Sequence, residues 1–371
     1  MTLRFFCKSV SALVVALVVL LQLAPRTFAQ TGSWMIVSSP SVPGATLSGV
    51  AAVSAGDIWA VGYSEANNFA RSTLAEHWNG SGWRVVSTPN APARFSSVLS
   101  AVTTVATNNV WAVGYSFDSN GDTTLIEHWN GISWTIIASP NPAASDELNS
   151  VAAISASDIW AVGGRGPNQV FETSLIEHWN GTAWNVVSNP GTTSLSGVTA
   201  LAPNNVWAVG GTARSDGSAE ILHWNGTQWS VVKSARPNNG DTLRLSAVTA
   251  ISANDIWAVG IDFYTTGEGD TTSRSLAEHW NGSAWSIAGA PAPVIGGGDQ
   301  LNGVAALASN AVWAVGIEAG SFIDNFDGRF WHVVPSPQAG NLQAVTTVAG
   351  NVWAVGFSTN GQPIIEECQG C

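Results

Sequence analysis

The chain is 371 residues long, and only 10% of it is Asp, Glu, Lys or Arg, against about 25% in an average soluble domain. Gly (38) and Trp (19) are abundant, while Lys occurs only at Lys8 and Lys233. Scarce charge, few helix formers and many turn residues exclude a helical bundle or a disordered chain, and a formal net charge of −12 disfavours nucleic acid, whose binding needs basic patches.

Residues 1–29 read as a signal peptide. Arg4 and Lys8 give a basic start, Val10 to Leu21 an apolar run, and Thr27-Phe28-Ala29 a cleavage site. The run is short for a membrane span, which needs about 20 residues. The expectation is a secreted protein, extracellular or at the cell surface, with no membrane insertion after cleavage. Losing Arg4, Lys8 and Arg26 takes the formal net charge from −12 to about −15.

A strand-like segment without a repeat of its own follows, Gly32-Ser33-Trp34-Met35-Ile36-Val37-Ser38-Ser39-Pro40. From there the chain is periodic. Trp-Ala-Val-Gly occurs seven times, beginning at Trp59, Trp111, Trp160, Trp207, Trp257, Trp313 and Trp353. His-Trp-Asn-Gly-x-x-Trp follows the first five copies, at His77, His128, His178, His223 and His279, and Asn325 to Trp331 is a degraded sixth. In the first unit, Leu47–Val53, Ile58–Tyr63, Thr73–Trp78 and Trp83–Ser87 read as four strands, rich in β-branched and aromatic residues. The second strand is apolar on both faces, so the sheet must be covered on both faces. Asn79-Gly80 and its copies suggest a two-residue type I′ hairpin. Asp57, Asn109, Asp158, Asn205, Asp255 and Asn351 suit the other tight turn. The remaining two connections read as long and variable, and a meander brings them to one face.

The last unit is incomplete. Ile364-Ile365-Glu366-Glu367-Cys368-Gln369-Gly370 aligns with Leu-Ile-Glu-His-Trp-Asn-Gly, and its missing Trp-x-Val-Val strand is the segment at Trp34. Such an offset joins the two ends in one blade and leaves no open seam. Residues 30–371 are therefore expected to form one all-β domain, a seven-bladed β-propeller of four-stranded antiparallel blades, the last blade closed by the N-terminal strand. Cys368 and Cys371 suggest a local disulfide or two loosely held thiols, since no second pair exists to complete a zinc site.

Ile159-Trp160-Ala161-Val162-Gly163-Gly164 and Glu177-His178-Trp179-Asn180-Gly181-Thr182-Ala183-Trp184 resemble the strands of a Kelch repeat. The chain is also similar to secreted bacterial Trp-Ala-Val-Gly repeat propellers and, more loosely, to tectonin-type lectin propellers. The resemblance covers the whole mature chain and implies the fold; propellers host binding modules, lectins and enzymes alike.

The repeated histidines occur once per blade, as packing groups do, whereas a catalytic group is needed once. The hairpin explains Asn79-Gly80-Ser81, Asn180-Gly181-Thr182, Asn225-Gly226-Thr227 and Asn281-Gly282-Ser283 without glycosylation. Asp118, Asn120 and Asp122 are spaced somewhat like a calcium loop, but no bidentate Glu follows at the expected distance. Neither a Ser-His-Asp elbow nor a sialidase set of arginines and Tyr appears. The non-repeated loop residues carry the functional expectation. Arg71, Arg94, Phe95, Arg165, Arg214, Arg244, Tyr264 and Arg274 are residue types found at binding surfaces, and carboxylates such as Asp146 and Asp241 share those loops. The expectation is a monomeric, non-catalytic protein without cofactor or metal that binds a glycan or cell-surface polymer on the long-loop face. The alternative is an extracellular protein-interaction scaffold. A polysaccharide hydrolase or lyase using Asp262, Glu268 and Asp270 ranks third.

Overall fold

The computed structural model describes residues 32–92, 94–167, 169–211, 217–235, 241–265, 271–289, 298–317 and 320–371. The expected signal peptide, Arg214, Glu268 and Asp270 lie outside the described residues. Gly32–Cys371 is one compact unit of seven four-stranded antiparallel sheets arranged as a propeller. The first blade runs outward from the channel through Ala45–Ser54, Asp57–Glu65, Arg71–Trp78 and Trp83–Val86. The last contains Gly340–Val348, Asn351–Ser358 and Pro363–Cys368, and its outermost strand is the N-terminal Trp34–Ile36. Trp34 stands opposite Cys368 and Ile36 opposite Glu366, so the ring closes as the offset repeat requires.

The second strand is buried throughout its Ile-Trp-Ala-Val-Gly core because each blade is covered by a neighbour on either side. The wedge between blades is aromatic. Trp59 packs against Trp129 and Trp134 of the next blade, at ring-centroid distances of 5.0 and 5.2 Å, and His77 of its own blade stacks on it at 4.3 Å. The same set recurs around the ring, for example Trp160 on Trp224 and Trp229. Each aromatic side chain removes roughly 150–250 Å² from water, so these joints dominate the core. The joint into the last blade differs: Trp313 meets Trp34 at 5.6 Å, and Cys368, wholly buried, stands where other blades place the second indole. Cys368 is disulfide-bonded to Cys371.

Two sequence-based expectations are corrected. The turn at Asn79 is a four-residue connection between paired Trp78 and Trp83, not a two-residue type I′ hairpin. Only Gly80 takes a left-handed backbone (φ 89°), while the Asn79 carboxamide oxygen accepts from Ser81 N, Ser81 Oγ and Gly82 N at 2.8–3.1 Å. Thr182, Thr227 and Ser283 donate their hydroxyls in the same way, which gives the sequon pattern a conformational cause. Second, not every connection on the other face is long. Between Asn109–Asp118 and Gly121–Trp129 only two residues intervene, because Asp118 still pairs with Gly121.

Candidate functional site at the channel mouth

The histidines are structural in their geometry. Nε2 of His77, His178 and His279 lies 2.8–2.9 Å from Asp57, Asp158 and Asp255, and His128 and His223 meet Asn109 and Asn205 at 2.9 and 3.0 Å. Five of the Asp/Asn residues read as turn formers therefore also orient the imidazole that covers the tryptophan of their blade. His332, in the outer strand Trp331–Val334, pairs with Asp327 at 2.9 Å.

Carboxyl groups with raised pKa values also repeat. Burial pushes Glu76, Glu278 and Glu366 up to about 7 and Glu127 and Glu177 up to about 8. All five are wholly buried between blades, out of reach of any substrate. A serine after the outer strand of the preceding blade donates to four of them: Ser39 to Glu76, Ser139 to Glu177, Ser234 to Glu278 and Ser336 to Glu366, at 2.6–2.8 Å. Glu127 has no hydrogen-bond partner among the described residues, and the Thr88 hydroxyl, which stands at the serine position, donates instead to the Thr73 carbonyl at 3.1 Å.

The non-repeated residues separate into two groups. Arg71, Arg165, Arg244, Tyr264 and Arg274, assigned to loops from the sequence, lie in strands, because cross-strand pairs such as Tyr264–Thr272 and Asp262–Arg274 extend the sheets past the apolar pattern. Most of their charge is already matched. Arg71 bonds Glu65 at 2.8 Å and lies over the Tyr63 ring. Arg94 bonds Asp118 at 2.7 Å and Thr123 at 2.9 Å. Arg274 bonds Asp262 at 2.7 Å, reaches Asp241 at 3.4 Å and lies over the Tyr264 ring. Arg165 donates to the Thr173 hydroxyl at 3.3 Å. Phe95 remains exposed (52%), as does Phe69 (74%), which sits at a loop tip with a left-handed backbone (φ 64°). At the calcium candidate, Asp118 is held by Arg94 and by the Asn120 amide (2.7 Å), and Asp122 accepts from Gln169 at 3.3 Å. Among the described residues no group of three or more His, Cys, Asp or Glu could hold a metal.

Arg244 is the exception. It has no ion pair or hydrogen bond among the described residues, and it lines a cavity of about 520 Å³ at the loop-face mouth of the central channel, with Glu147, Phe171, Gln300, Asn302, Ser246 and Gln343. Sequence reasoning missed what builds this mouth. Each innermost strand is bulged directly after a fully buried leucine: Leu47, Leu99, Leu148, Leu195, Leu245, Leu301 and Leu342. The extra residue at each bulge is polar, Ser48, Ser100, Asn149, Ser196, Ser246, Asn302 and Gln343, and all seven line the channel. The signal lay in a Leu-polar-small triplet repeated once per blade, with Gly, Ala or Ser third. The third residue must be small because blades nearly touch there: a Cβ on Gly49 would meet the Ala101 Cα at 2.9 Å.

Asn149 and Asn302 clamp adjacent blades by donating to the carbonyls of Leu195 (3.0 Å) and Leu342 (2.9 Å). Glu147 accepts only from neutral groups, Asn149 at 3.1 Å and Ser194 at 3.4 Å, and burial raises its pKa. The mouth thus offers an unpaired guanidinium, a carboxylate without a cation, several amides and one aromatic wall.

No family model and no curated protein matches the sequence. Solved propellers match its shape. YCF48 from Cyanidioschyzon merolae is 16% identical over 91% of this chain and 99% of that one, with a TM-score of 0.56. YCF48 bound to D1 peptide is 12% identical over 90% and 94%, with a TM-score of 0.55. The WD40 propeller domain of Doa1 is 11% identical over 90% and 97%, with a TM-score of 0.53. At these identities the likeness is one of architecture, and the architecture is what the chain shares with them: a seven-bladed, four-stranded β-propeller.

Proposed function

We propose that this propeller is a non-catalytic interaction scaffold that docks a segment of another protein across its loop face, over the channel mouth. The observation that carries it is the exposure of Phe69, Phe95 and Val170 (74%, 52% and 55%) on the face that also opens the amide-lined cavity. Apolar anchors around convergent polar groups suit a polypeptide, whose backbone offers both donors and acceptors. Among the described residues, the five repeated imidazoles and the five carboxyls pushed up to about 7 to 8 sit in the blade joints, away from that mouth. YCF48, of similar fold, has been solved with a peptide bound. We also propose that the protein is exported: the basic-apolar leader and the Cys368–Cys371 disulfide both suit an oxidising compartment.

The test is a peptide-library screen beside a glycan and polysaccharide array, run on the exported chain with calcium and with chelator. Peptide binding that weakens at least tenfold in a Phe69→Ser, Phe95→Ser, Val170→Ser triple variant is the expected result. A blank peptide screen with saturable glycan binding, lost when Arg71, Arg94 and Arg165 are changed to Ala, would replace the scaffold with a lectin. N-terminal sequencing that does not begin near Gln30 would reject the proposed processing.

A further inference from the structure

We infer that the channel mouth selects a partner segment carrying a single carboxylate, which it takes on Arg244 with the Ser246 hydroxyl as second donor. This rests on the scaffold reading and adds the chemistry of what the mouth recognises.

Two independent observations meet at this point. Arg71, Arg94 and Arg274 each have a carboxylate partner within 2.8 Å, and Arg165 has a hydroxyl. Arg244 has none among the described residues, although a guanidinium is a planar fork suited to two parallel bonds to a carboxylate. The Ser246 hydroxyl is buried and unpartnered, and Ser246 lines the same cavity. It is the bulge residue of the blade that carries Arg244, with Leu245 between them turned into the blade joint. Buried polar groups normally find partners, and a hydroxyl and a guanidinium left unpaired in one cavity are two donors suited to one acceptor.

The charge of the surroundings limits that acceptor. The protein carries a formal net charge of −12, which repels a polyanion at long range. Glu147 lines the same cavity and disfavours a second negative charge close by. A lone carboxylate on an otherwise neutral segment fits; an acidic run or a phosphate cluster does not. Two sources have this chemistry, a chain's C-terminal carboxylate and a single Asp or Glu side chain.

The experiment uses N-acetylated octapeptide pools built from Gly, Ser, Leu and Phe and labelled with a neutral fluorophore. One pool ends in an amide, one in a free carboxylate, and one in an amide with a single internal Asp. Anisotropy titrations are run on the wild-type chain and on Arg244→Gln, Arg244→Lys, Ser246→Ala and, as a control on the opposite face, Arg329→Gln. The expected result is that a carboxylate pool binds at least tenfold tighter than the neutral pool, and the better pool identifies the source. Arg244→Gln abolishes that preference, Arg244→Lys keeps part of it, Ser246→Ala costs about threefold, and Arg329→Gln changes nothing, all with unchanged Tm. Equal binding of the three pools, or a preference that survives Arg244→Gln, overturns the carboxylate assignment and leaves the scaffold standing. No binding by any pool removes both.

Discussion

The blade joints and the channel mouth are built from the same repeat and treat polar groups in opposite ways. In the joints one solution recurs from blade to blade: imidazole on Asp or Asn in five blades, aromatic ring on aromatic ring around the circle, serine on buried glutamate in four. At the mouth the bulge is periodic but its occupant is not, and Arg244 is left unpaired while its counterparts are matched. Periodic polar groups here are structural because a requirement that recurs from blade to blade cannot be one ligand's requirement. The aperiodic, unmatched groups are where chemistry remains for a partner.

Emptying a joint should have the largest effect on the fold. Trp160→Ala should cost about 3–5 kcal/mol in denaturant titrations, and the same loss is expected for Trp111→Ala, since both fill equivalent wedges. The buried carboxyls supply the next effect. Glu76, Glu127, Glu177, Glu278 and Glu366 have folded pKa values of about 7 to 8 against an ordinary 4.5. Between those limits the folded chain holds more protons than the unfolded one, so their contribution is complete below pH 4.5 and is lost as pH rises through 7 to 8. Tm should therefore be higher at pH 5 than at pH 8, by roughly 5 °C or more. A thermal scan that rises with pH would contradict this. Glu127→Leu should stabilise at pH 8 by roughly 1–3 kcal/mol and by less at pH 5. The fourth blade already carries Leu222 at the equivalent position, opposite Ala208.

Smaller effects sharpen the contrast. His178→Phe keeps a ring over Trp160 and removes the bond to Asp158, at a cost of about 1 kcal/mol, with no change in ligand binding. Arg71→Ala breaks an ion pair whose side chains are 32% and 31% exposed, and should change stability by about 0.5 kcal/mol or less.

Blade number, blade order and ring closure were legible in the sequence because a tryptophan recurring in the same short motif once per unit can occupy only one kind of site. Arg94 finds Asp118 across the connection into the next blade, and Arg274 finds Asp262 across a hairpin; neither pairing has a local signature. The polar collar was obscured for a different reason. A bulge breaks the period-two alternation by which inward residues are recognised, so Ser48 and its six counterparts carry no alternation signal that would mark them as channel-facing.

The closing blade has a consequence for how the chain acquires its shape. Six blades are made of contiguous sequence and can form in order, but Trp34–Ile36 has no partner until Pro363–Cys368 exists. That pairing spans nearly the whole domain, the kind of long-range contact that slows a folding reaction most. The Cys368–Cys371 link needs only its own turn. Oxidation can therefore precede ring closure and present the last strand ready-made, so that the slowest encounter in folding ends on a surface already fixed.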